Sequence, residues 1–307
     1  MASVSTTAAR LALLCLIVGG LATSWGPIIV RLSETGPVAT AAYRMGFALP
    51  VLLLMLAVSR PTKAARVPMT ARDTFWLCFA GFCFAGDIGV WHWAINLTTI
   101  ANATLIGNTA PAFVTLGAWL FLRERITGLF VVGLFVALSG AAMLAGASLE
   151  VGGTNLLGDG LSIVAAVFFA GYVLAIKHVR GRVATLTIMT WSTGAAGLFL
   201  FPAAVLTGDT MLAATTFGWL LLLALAWGAH VFGQGLIAYA LAHLPASFSS
   251  VALMCQPVFS IIWATLFLSE TPGPLQAAGA VVVLVGIIIS QRGSGRMREE
   301  LPATPPP

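Results

Sequence analysis

The sequence predicts an all-α integral membrane protein with ten transmembrane helices, arranged as two inverted five-helix repeats. Three observations support this prediction: an apolar composition, ten long apolar runs, and a match between the two halves of the chain. Hydrophobic residues make up 59% of the 307 residues and charged residues only 8%, with a mean hydropathy of +0.98. Soluble globular chains carry about 25% charged residues. This composition therefore excludes a cytosolic enzyme, a nucleic-acid binder and a secreted domain.

Ten segments are long and apolar enough to cross a bilayer, which takes about 20 residues of α-helix. Breaks that are polar or rich in Gly and Pro separate them, as expected for loops. The first segment also resembles a signal peptide, with Arg10 as its charged flank, but its apolar run is long for a signal core. The predicted spans, numbered 1 to 10, are 10–30, 38–58, 74–95, 102–122, 128–147, 158–177, 185–206, 217–241, 247–268 and 274–291.

The basic residues predict how these spans cross the membrane. With a cytoplasmic N-terminus, thirteen of the fifteen Lys and Arg residues fall on the cytoplasmic side, Arg31 falls outside and Arg44 lies within span 2. The positive-inside rule favours this arrangement over its inverse. We therefore expect a multi-pass protein of the inner (plasma) membrane with both termini in the cytoplasm. The pI of about 9.4 then reflects membrane orientation rather than a nucleic-acid partner.

The two halves of the chain match when one is shifted by 146 residues. Eleven identities fall between residues 111 and 140, and biased composition alone does not place Pro, Glu and Gly in register. Because five is odd, the second five-helix copy enters the membrane in the opposite orientation, a symmetry that transporters use for alternating access. A duplicated scaffold without transport is the alternative. We expect the repeats to cover 1–148 and 149–292, followed by a disordered cytoplasmic tail at 293–307.

A pattern of Ala, Pro, Glu and Gly recurs in both halves: Ala94, Pro111, Glu124 and Gly140, then Ala240, Pro257, Glu270 and Gly286. This pattern resembles the drug/metabolite transporter superfamily, and more narrowly its ten-helix EamA branch, over residues 10–291. The resemblance implies an exporter of small metabolites, with amino acids as the leading class, including the aromatic ones moved by YddG-type exporters. It also implies that helices 1, 3, 4, 6, 8 and 9 surround a central cavity and that helices 5 and 10 lie outside the substrate path.

Among the ionisable residues within spans, Arg44 and Asp87 stand out as candidates for the substrate path. Each costs about 2.5–3.5 kcal/mol at the centre of a membrane helix and so needs a reason to be there. Arg44 is in span 2 and Asp87 in span 3, at similar expected depths. In one hypothesis Asp87 binds a substrate amine or a coupling proton while Arg44 binds a carboxylate, which suits an amino acid zwitterion. In the other, the two form a structural ion pair or separate hydrogen bonds to backbone carbonyls.

Other polar and aromatic residues complete the expected path. In span 8, residues spaced three and four apart are predicted to share one helix face. For His230 the alternative is a neutral histidine bonded between helices, and for the aromatic residues it is ordinary packing. The further candidates are Trp91 in span 3, Asn108 in span 4, Tyr172 in span 6, Trp227, His230 and Gln234 in span 8, and Gln256 in span 9.

Two prolines at matching positions of the repeat, Pro111 in span 4 and Pro257 in span 9, are predicted to bend their helices. Each removes a backbone donor and frees a carbonyl, which is tolerated in a membrane where it lines a cavity or finds a neighbour. A bend that opens and closes a gate and a static, well-packed kink are both compatible with the sequence.

The missing motifs restrict the energy source and the chemistry. No G-x-x-x-x-G-K-[ST] nucleotide loop is present, so we expect gradient-driven or facilitated transport, with no catalytic residue, cofactor or metal. Span 1 lacks an acidic residue like that of small multidrug pumps, which weakens but keeps proton-driven efflux of cationic compounds as an alternative. An intramembrane aspartyl protease using Asp87 and Asp159, and a channel, are weaker alternatives. The expected partners are a small-molecule substrate and the lipid bilayer, and a homodimer and a monomer are both compatible.

Overall fold

The computed structural model describes residues 6–59, 69–98, 100–145, 156–268 and 273–299. Ten helical segments within these ranges are long and apolar enough to cross a membrane, which confirms the predicted number of spans. Six spans are single helices. These are α3 (Pro37–Val58) for span 2, α4 (Ala71–Leu97) for span 3, α7 (Gly128–Ala145) for span 5, α8 (Leu156–Val179) for span 6, α9 (Thr185–Leu206) for span 7 and α14 (Pro274–Glu299) for span 10.

The other four spans are interrupted. Span 1 is split between α1 (Thr6–Thr23) and α2 (Gly26–Leu32), span 4 between α5 (Ile100–Gly107) and α6 (Ala110–Leu122), and span 9 between α12 (Ala246–Ala252) and α13 (Cys255–Leu268). Span 8 consists of α10 (Thr216–Ala224), a π-helix (Leu225–Gln234) and α11 (Gly235–Ala240). Irregular backbone at membrane depth is tolerated only where protein or a cavity surrounds it, so these breaks indicate the interior of the bundle.

The packing of the spans reproduces the inverted repeat. Spans 5 and 10 pack against each other, as do spans 2 and 7. In each of these pairs, one span occupies the same position in the first repeat that the other occupies in the second. The contact between spans 3 and 6 matches that between 8 and 1, and the contact between 2 and 8 matches that between 7 and 3. A pseudo-twofold axis relates these pairs, as expected for two five-helix copies of opposite orientation.

Spans 5 and 10 are held together by a close approach of their backbones. A Cβ at Gly140 would lie 2.5 Å from the backbone nitrogen of Val283, and one at Gly286 would meet the backbone nitrogen of Ala137. Small residues permit such contact between membrane helices. The small residues of span 5 therefore serve packing within the chain.

The last helix extends beyond its predicted end. Span 10 was expected to stop at residue 291 and a disordered tail to begin at 293, whereas α14 continues to Glu299. Residues 300–307 of the predicted tail lie outside the described residues.

The predicted bends at the two prolines coincide with complete helix breaks. Span 4 is interrupted at Asn108 and Thr109, just before Pro111, and span 9 at Leu253 and Met254, before Pro257. Under the 146-residue shift these breaks agree within one residue. Pro257 has no N–H to donate to the carbonyl of Leu253, four residues before it. That carbonyl instead accepts a 2.9 Å hydrogen bond from the nitrogen of Gln256. The breaks are therefore a repeated feature of the fold.

Candidate functional site

Side chains from spans 2, 3 and 6–8 meet around the ring of Phe84 in α4. The guanidinium carbon of Arg44 lies 5.6 Å from the centre of that ring. The rings of Tyr172 and His230 lie 4.9 Å and 5.8 Å from it. A cation over an aromatic face is stabilised by the ring quadrupole, and more strongly where water is excluded. We call this group, together with Asp87, Thr193 and Gln234, the Phe84 cluster.

Hydrogen bonds join the outer members of the Phe84 cluster. Nε2 of Gln234 donates to the hydroxyl of Tyr172 over 2.8 Å. Oγ1 of Thr193 lies 2.8 Å from Nε2 of His230, in a second hydrogen bond. Tyr172, His230, Gln234 and Thr193 are all buried. These bonds fix the histidine and tyrosine rings on spans 6 and 8 relative to span 7.

Arg44 and Asp87 lie close enough to influence each other electrostatically. Among the described residues, Arg182 and Asp73 form an ion pair of 3.3 Å near the end of the bundle. Arg44 and Asp87 form no ion pair within 4.0 Å. The cluster therefore brings together two side chains of opposite charge type, within two membrane-spanning helices, without closing them into an ion pair.

Two buried nitrogens in the Phe84 cluster make no hydrogen bond with the described part of the chain: Nε of Arg44 and Nδ1 of His230. More than nine in ten buried polar groups in folded proteins have a partner, so each exception calls for an explanation. Both nitrogens belong to residues that surround the same aromatic ring. Such a site is suited to a polar ligand, to which Nε of Arg44 can donate while Nδ1 of His230 donates or accepts according to its tautomer.

The π-helix in span 8 explains why one expected member is missing from the cluster. We expected Trp227, His230 and Gln234 on one face, but the i→i+5 bonding of a π-helix changes the angle between successive residues. His230 and Gln234 both reach the cluster, whereas Trp227 is 51% exposed. Its indole nitrogen donates to the carbonyl of Phe47 over 3.2 Å. The structure therefore places the Trp227 side chain away from the buried His230 and Gln234.

The remaining candidates lie along the broken helices. The indole of Trp91 packs near Gly107, where an added Cβ would lie 3.9 Å from its Cδ1 and Nε1 atoms. Asn108 lies within the break of span 4 and is half-buried. The side chain of Gln256 approaches Gly20 of span 1, within 3.8 Å of an added Cβ. These residues lie next to the breaks of spans 4 and 9, beside the segments expected to move.

Sequence reasoning missed two members of the Phe84 cluster. Phe84 precedes Asp87 by three residues, so helical spacing places them on one face, and this signal was available. Thr193 gave no comparable signal, because span 7 contains several hydroxyl residues and only the fold selects one of them. Ser192, its neighbour, instead bonds its own helix at the carbonyl of Ile188, 2.8 Å away.

The arginine-rich end of the bundle is held by two charged side chains. The carboxylate of Glu124 accepts hydrogen bonds from the backbone nitrogens of Ala246 (2.7 Å) and Ser247 (3.1 Å), and from the Ser247 hydroxyl (2.6 Å). The ammonium of Lys177 donates to the carbonyls of Leu241 (2.9 Å) and Leu244 (2.5 Å). The anion therefore caps the start of α12 and the cation caps the end of α11, as the helix dipole favours. We call this arrangement the inner clamp.

Arg180 fastens the same end of the bundle. Its Nε donates to the carbonyl of Ala238 over 3.0 Å and its Nη1 to that of Val183 over 2.9 Å. Burial lowers the pKa of Arg180 to about 10, which leaves the guanidinium charged at neutral pH. Spans 6, 7 and 8 are thereby tied together next to the inner clamp.

The opposite end is tied together by carboxylates. Glu34 accepts hydrogen bonds from the nitrogen (2.9 Å) and hydroxyl (2.5 Å) of Thr215 at the start of α10. The Thr215 hydroxyl holds the pKa of Glu34 below its ordinary value. Asp209 accepts a 2.9 Å bond from the nitrogen of Ala39 in α3. Spans 1 and 8, and spans 7 and 2, are thus joined at this end.

The arrangement contains no aspartate dyad. Oδ1 of Asp159 accepts a 2.7 Å hydrogen bond from the hydroxyl of Thr98. Thr98 follows Asp87 by 11 residues on the same helix, which places it roughly 16 Å further along the axis. Paired catalytic carboxylates lie within roughly 10 Å of each other. Asp87 and Asp159 therefore do not form a proteolytic centre.

The chain matches known membrane transporters. A family model, the EamA-like transporter family, matches residues 9–146 and again 156–291. The chain belongs to this family. Its members are transporters rather than enzymes, so this EamA-family chain is a multi-pass membrane transporter of small molecules, and the two matches correspond to its two inverted repeats.

Similar proteins of the EamA family include named exporters. The chain is 28% identical to the pseudopaline exporter CntI of Pseudomonas aeruginosa over 265 residues, covering 86% of this chain and 90% of that protein. It is 31% identical over 252 residues to a probable terminal-alkyne amino-acid exporter of Streptantibioticus cattleyicolor, covering 80% of each chain. One solved crystal structure matches with a TM-score of 0.79 at 18% identity, covering 93% of this chain and 98% of that one, which supports the fold.

Proposed function

We propose that this EamA-family transporter exports small zwitterionic metabolites, first among them amino acids, including aromatic ones. The observation that supports this proposal most directly is the separated pair of opposite charges, Arg44 and Asp87, in the Phe84 cluster. An isolated charge within the bilayer is costly, and it is retained where it pairs or serves transport. A zwitterion would supply a partner of the right sign for each.

Each member of the cluster has a role in this proposal. Asp87 binds the ammonium group of the substrate and Arg44 its carboxylate, with a planar guanidinium suited to two parallel hydrogen bonds. His230 offers its unpaired Nδ1 to the same substrate. Phe84 and Tyr172 provide an apolar surface for the substrate side chain, while Gln234 positions the Tyr172 hydroxyl.

The relatives support the substrate class. A protein 31% identical to this chain is named a probable terminal-alkyne amino-acid exporter, and one 28% identical is named a pseudopaline exporter. The direction of transport in this proposal, outward, comes from those names.

Alternating access is proposed as the mechanism. The inverted repeats supply two related conformations, and the breaks before Pro111 and Pro257 supply points where spans 4 and 9 bend. The cluster stays at mid-membrane while either end opens. In this proposal both termini face the cytoplasm of a cell whose inner membrane holds the protein, because the arginine-rich end then lies inside.

Counterflow in proteoliposomes tests the proposal. Vesicles are preloaded with unlabelled amino acids, and the entry of one labelled aromatic amino acid is followed for the wild type, Asp87→Asn and Arg44→Gln. Arg292→Gln is a matched control, an exposed arginine at the end of the bundle. We expect saturable exchange in the wild type and control, with at least about a tenfold loss in both cluster variants.

The outcomes separate the competing functions. Exchange of cationic compounds but not amino acids, lost only with Asp87, would favour cation efflux. Exchange of amino acids that survives both substitutions would make the pair structural and place the binding site elsewhere. Exchange of neither class by folded protein would reject the amino acid proposal.

A further inference from the structure

A groove of about 370 Å³ opens at the arginine-rich end of span 4, outside the Phe84 cluster. It lies where α6 ends and the connection to α7 begins. Trp119, Leu120 and both arginines are exposed. The groove is lined by Trp119, Leu120, Arg123, Glu124 and Arg125.

The backbone at the groove is unusual. Arg123 has φ 54° and ψ 33°, in the left-handed region, and is the one non-glycine residue with positive φ among those the structure describes. A helix commonly ends in this conformation, but the position favours glycine because a Cβ is crowded there. Such strain in a non-glycine residue is found most often at functional sites. The chain here retains an arginine side chain where glycine would fit more easily.

The groove carries a net positive charge, from two arginines and one glutamate. The carboxylate of Glu124 is occupied by the backbone and hydroxyl of α12 in the inner clamp. In the described part of the chain neither Arg123 nor Arg125 forms an ion pair within 4.0 Å. Among the described residues, two guanidinium groups therefore flank the groove beside one carboxylate, which leaves an excess of positive charge.

These arginines are not part of the repeated scaffold. Under the 146-residue shift, Glu124 corresponds to Glu270, but the residues beside it correspond to Ser269 and Thr271, which are neutral. A charge that only closed a helix end would be expected in both copies. The pair is specific to the end of the bundle that the positive-inside rule assigns to the cytoplasm.

The surroundings favour a lipid as the ligand. Trp119, Leu120 and Phe121 are 58%, 59% and 74% exposed on a membrane-spanning helix, so lipid contacts them. Tryptophan is enriched at the level of the headgroups, and arginine binds phosphate oxygens through two parallel bonds. Basic pockets on the cytoplasmic side recognise anionic lipid headgroups. We propose that this groove binds the phosphate headgroup of an anionic phospholipid, whose acyl chains lie along the exposed face of α6.

The proposed lipid site adjoins the inner clamp. Glu124 stands between the two arginines in sequence, and its carboxylate caps α12. A phosphate bound to Arg123 and Arg125 would order the connection that presents Glu124 to α12. Anionic lipid is therefore expected to stabilise the clamped arrangement, through the loop rather than through the substrate site.

Lipid binding by the purified full chain tests the proposal. Retention of phosphatidylglycerol and of phosphatidylcholine is compared by native mass spectrometry for the wild type and for Arg123→Gln/Arg125→Gln. The matched control, Arg72→Gln/Arg292→Gln, removes two exposed arginines from other helices at the same end. We expect the groove variant to lose about tenfold in phosphatidylglycerol affinity, with phosphatidylcholine unchanged and the control close to wild type. Equal losses in the two double variants would overturn the proposal, because only general surface charge would then matter.

Three further measurements keep the result interpretable. Thermal unfolding in phosphatidylcholine shows whether the groove variant is folded. Arg123→Lys/Arg125→Lys is expected to retain part of the phosphatidylglycerol affinity, because lysine keeps the positive charge but lacks the planar guanidinium group. Competition with inorganic phosphate distinguishes the source of the phosphate group. If inorganic phosphate at about 1 mM displaces the lipid, the groove is a site for soluble phosphate and the lipid proposal is overturned.

Discussion

The inner clamp gives a measurable prediction through Glu124. Its carboxylate accepts three hydrogen bonds at the start of α12, from Ala246 and Ser247. Glu124→Gln keeps the shape of the side chain but removes the charge and one of the two acceptor oxygens. We expect the start of α12 to loosen and the protein to lose stability, while the Phe84 cluster is untouched.

The magnitude follows from the contacts. A hydrogen bond to a charged group contributes about 1.5–3 kcal/mol, and a charge at a helix N-terminus about 0.3–1 kcal/mol. The amide retains one acceptor, and the half-buried site is partly screened by solvent, so the net loss is about 2 kcal/mol. At about 2–4 °C per kcal/mol, the midpoint of thermal unfolding falls by roughly 4–8 °C.

Thermal unfolding in detergent, together with hydrogen exchange at Ala246 and Ser247, measures this effect. Ser247→Ala removes only the hydroxyl bond, so its expected loss is about 1 kcal/mol. Ser249→Ala is the matched control, because its hydroxyl bonds the carbonyl of Pro245 within the same helix rather than Glu124. If Glu124→Gln unfolds with the wild type and its α12 amides keep their protection, the capping argument is refuted.

Three further predictions concern packing, pH and the cluster. Gly286→Leu is expected to prevent stable folding in detergent, because the new side chain would meet the backbone of span 5. Gly235→Ala is expected to be tolerated, because nothing lies within 4 Å of an added Cβ there. The midpoints of thermal unfolding of the two variants test this difference. The lowered pKa of Glu34 adds stability above the unfolded value near 4.5 that is lost as pH falls through the folded value. A pH series of unfolding midpoints is thus expected to decline less steeply below pH 5 (roughly) in Glu34→Gln than in the wild type. Trp227→Phe is expected to leave counterflow unchanged, because this side chain lies apart from the cluster; a loss there would show that it contacts substrate.

The spans and their breaks could be predicted because they depend on local sequence. An apolar run of about 20 residues has few alternatives to crossing the bilayer. Pro111 and Pro257 each remove a helical hydrogen bond, and in both spans the helix break lies a few residues before the proline. Glycine spacing in spans 5 and 10 likewise allowed close packing, although only the fold identified span 10 as the partner.

The site was predictable only where a side chain was costly by itself. Arg44 and Asp87 stood out because a membrane penalises any charge. The position of Trp227 relative to His230 and Gln234 could not be predicted, because the even spacing assumed for span 8 is that of an α-helix and the structure has a π-helix there. Thr193 was missed because hydroxyl residues in membrane helices usually bond their own backbone, and its choice of His230 is a tertiary contact.

Asp87 differs from the other described acidic residues in its hydrogen bonding and its place in the fold. The structure describes the side chains of six of the ten acidic residues in the sequence. Five of them bond a helix start or a hydroxyl group at an end of the bundle, where solvent or a helix dipole supports a negative charge. Those five are Glu34, Asp73, Glu124, Asp159 and Asp209. Asp87 alone among the six makes no hydrogen bond to the described chain, although it lies within a membrane-spanning helix. A structural carboxylate would be expected to resemble the other five, so its departure from them supports a role in binding what passes through.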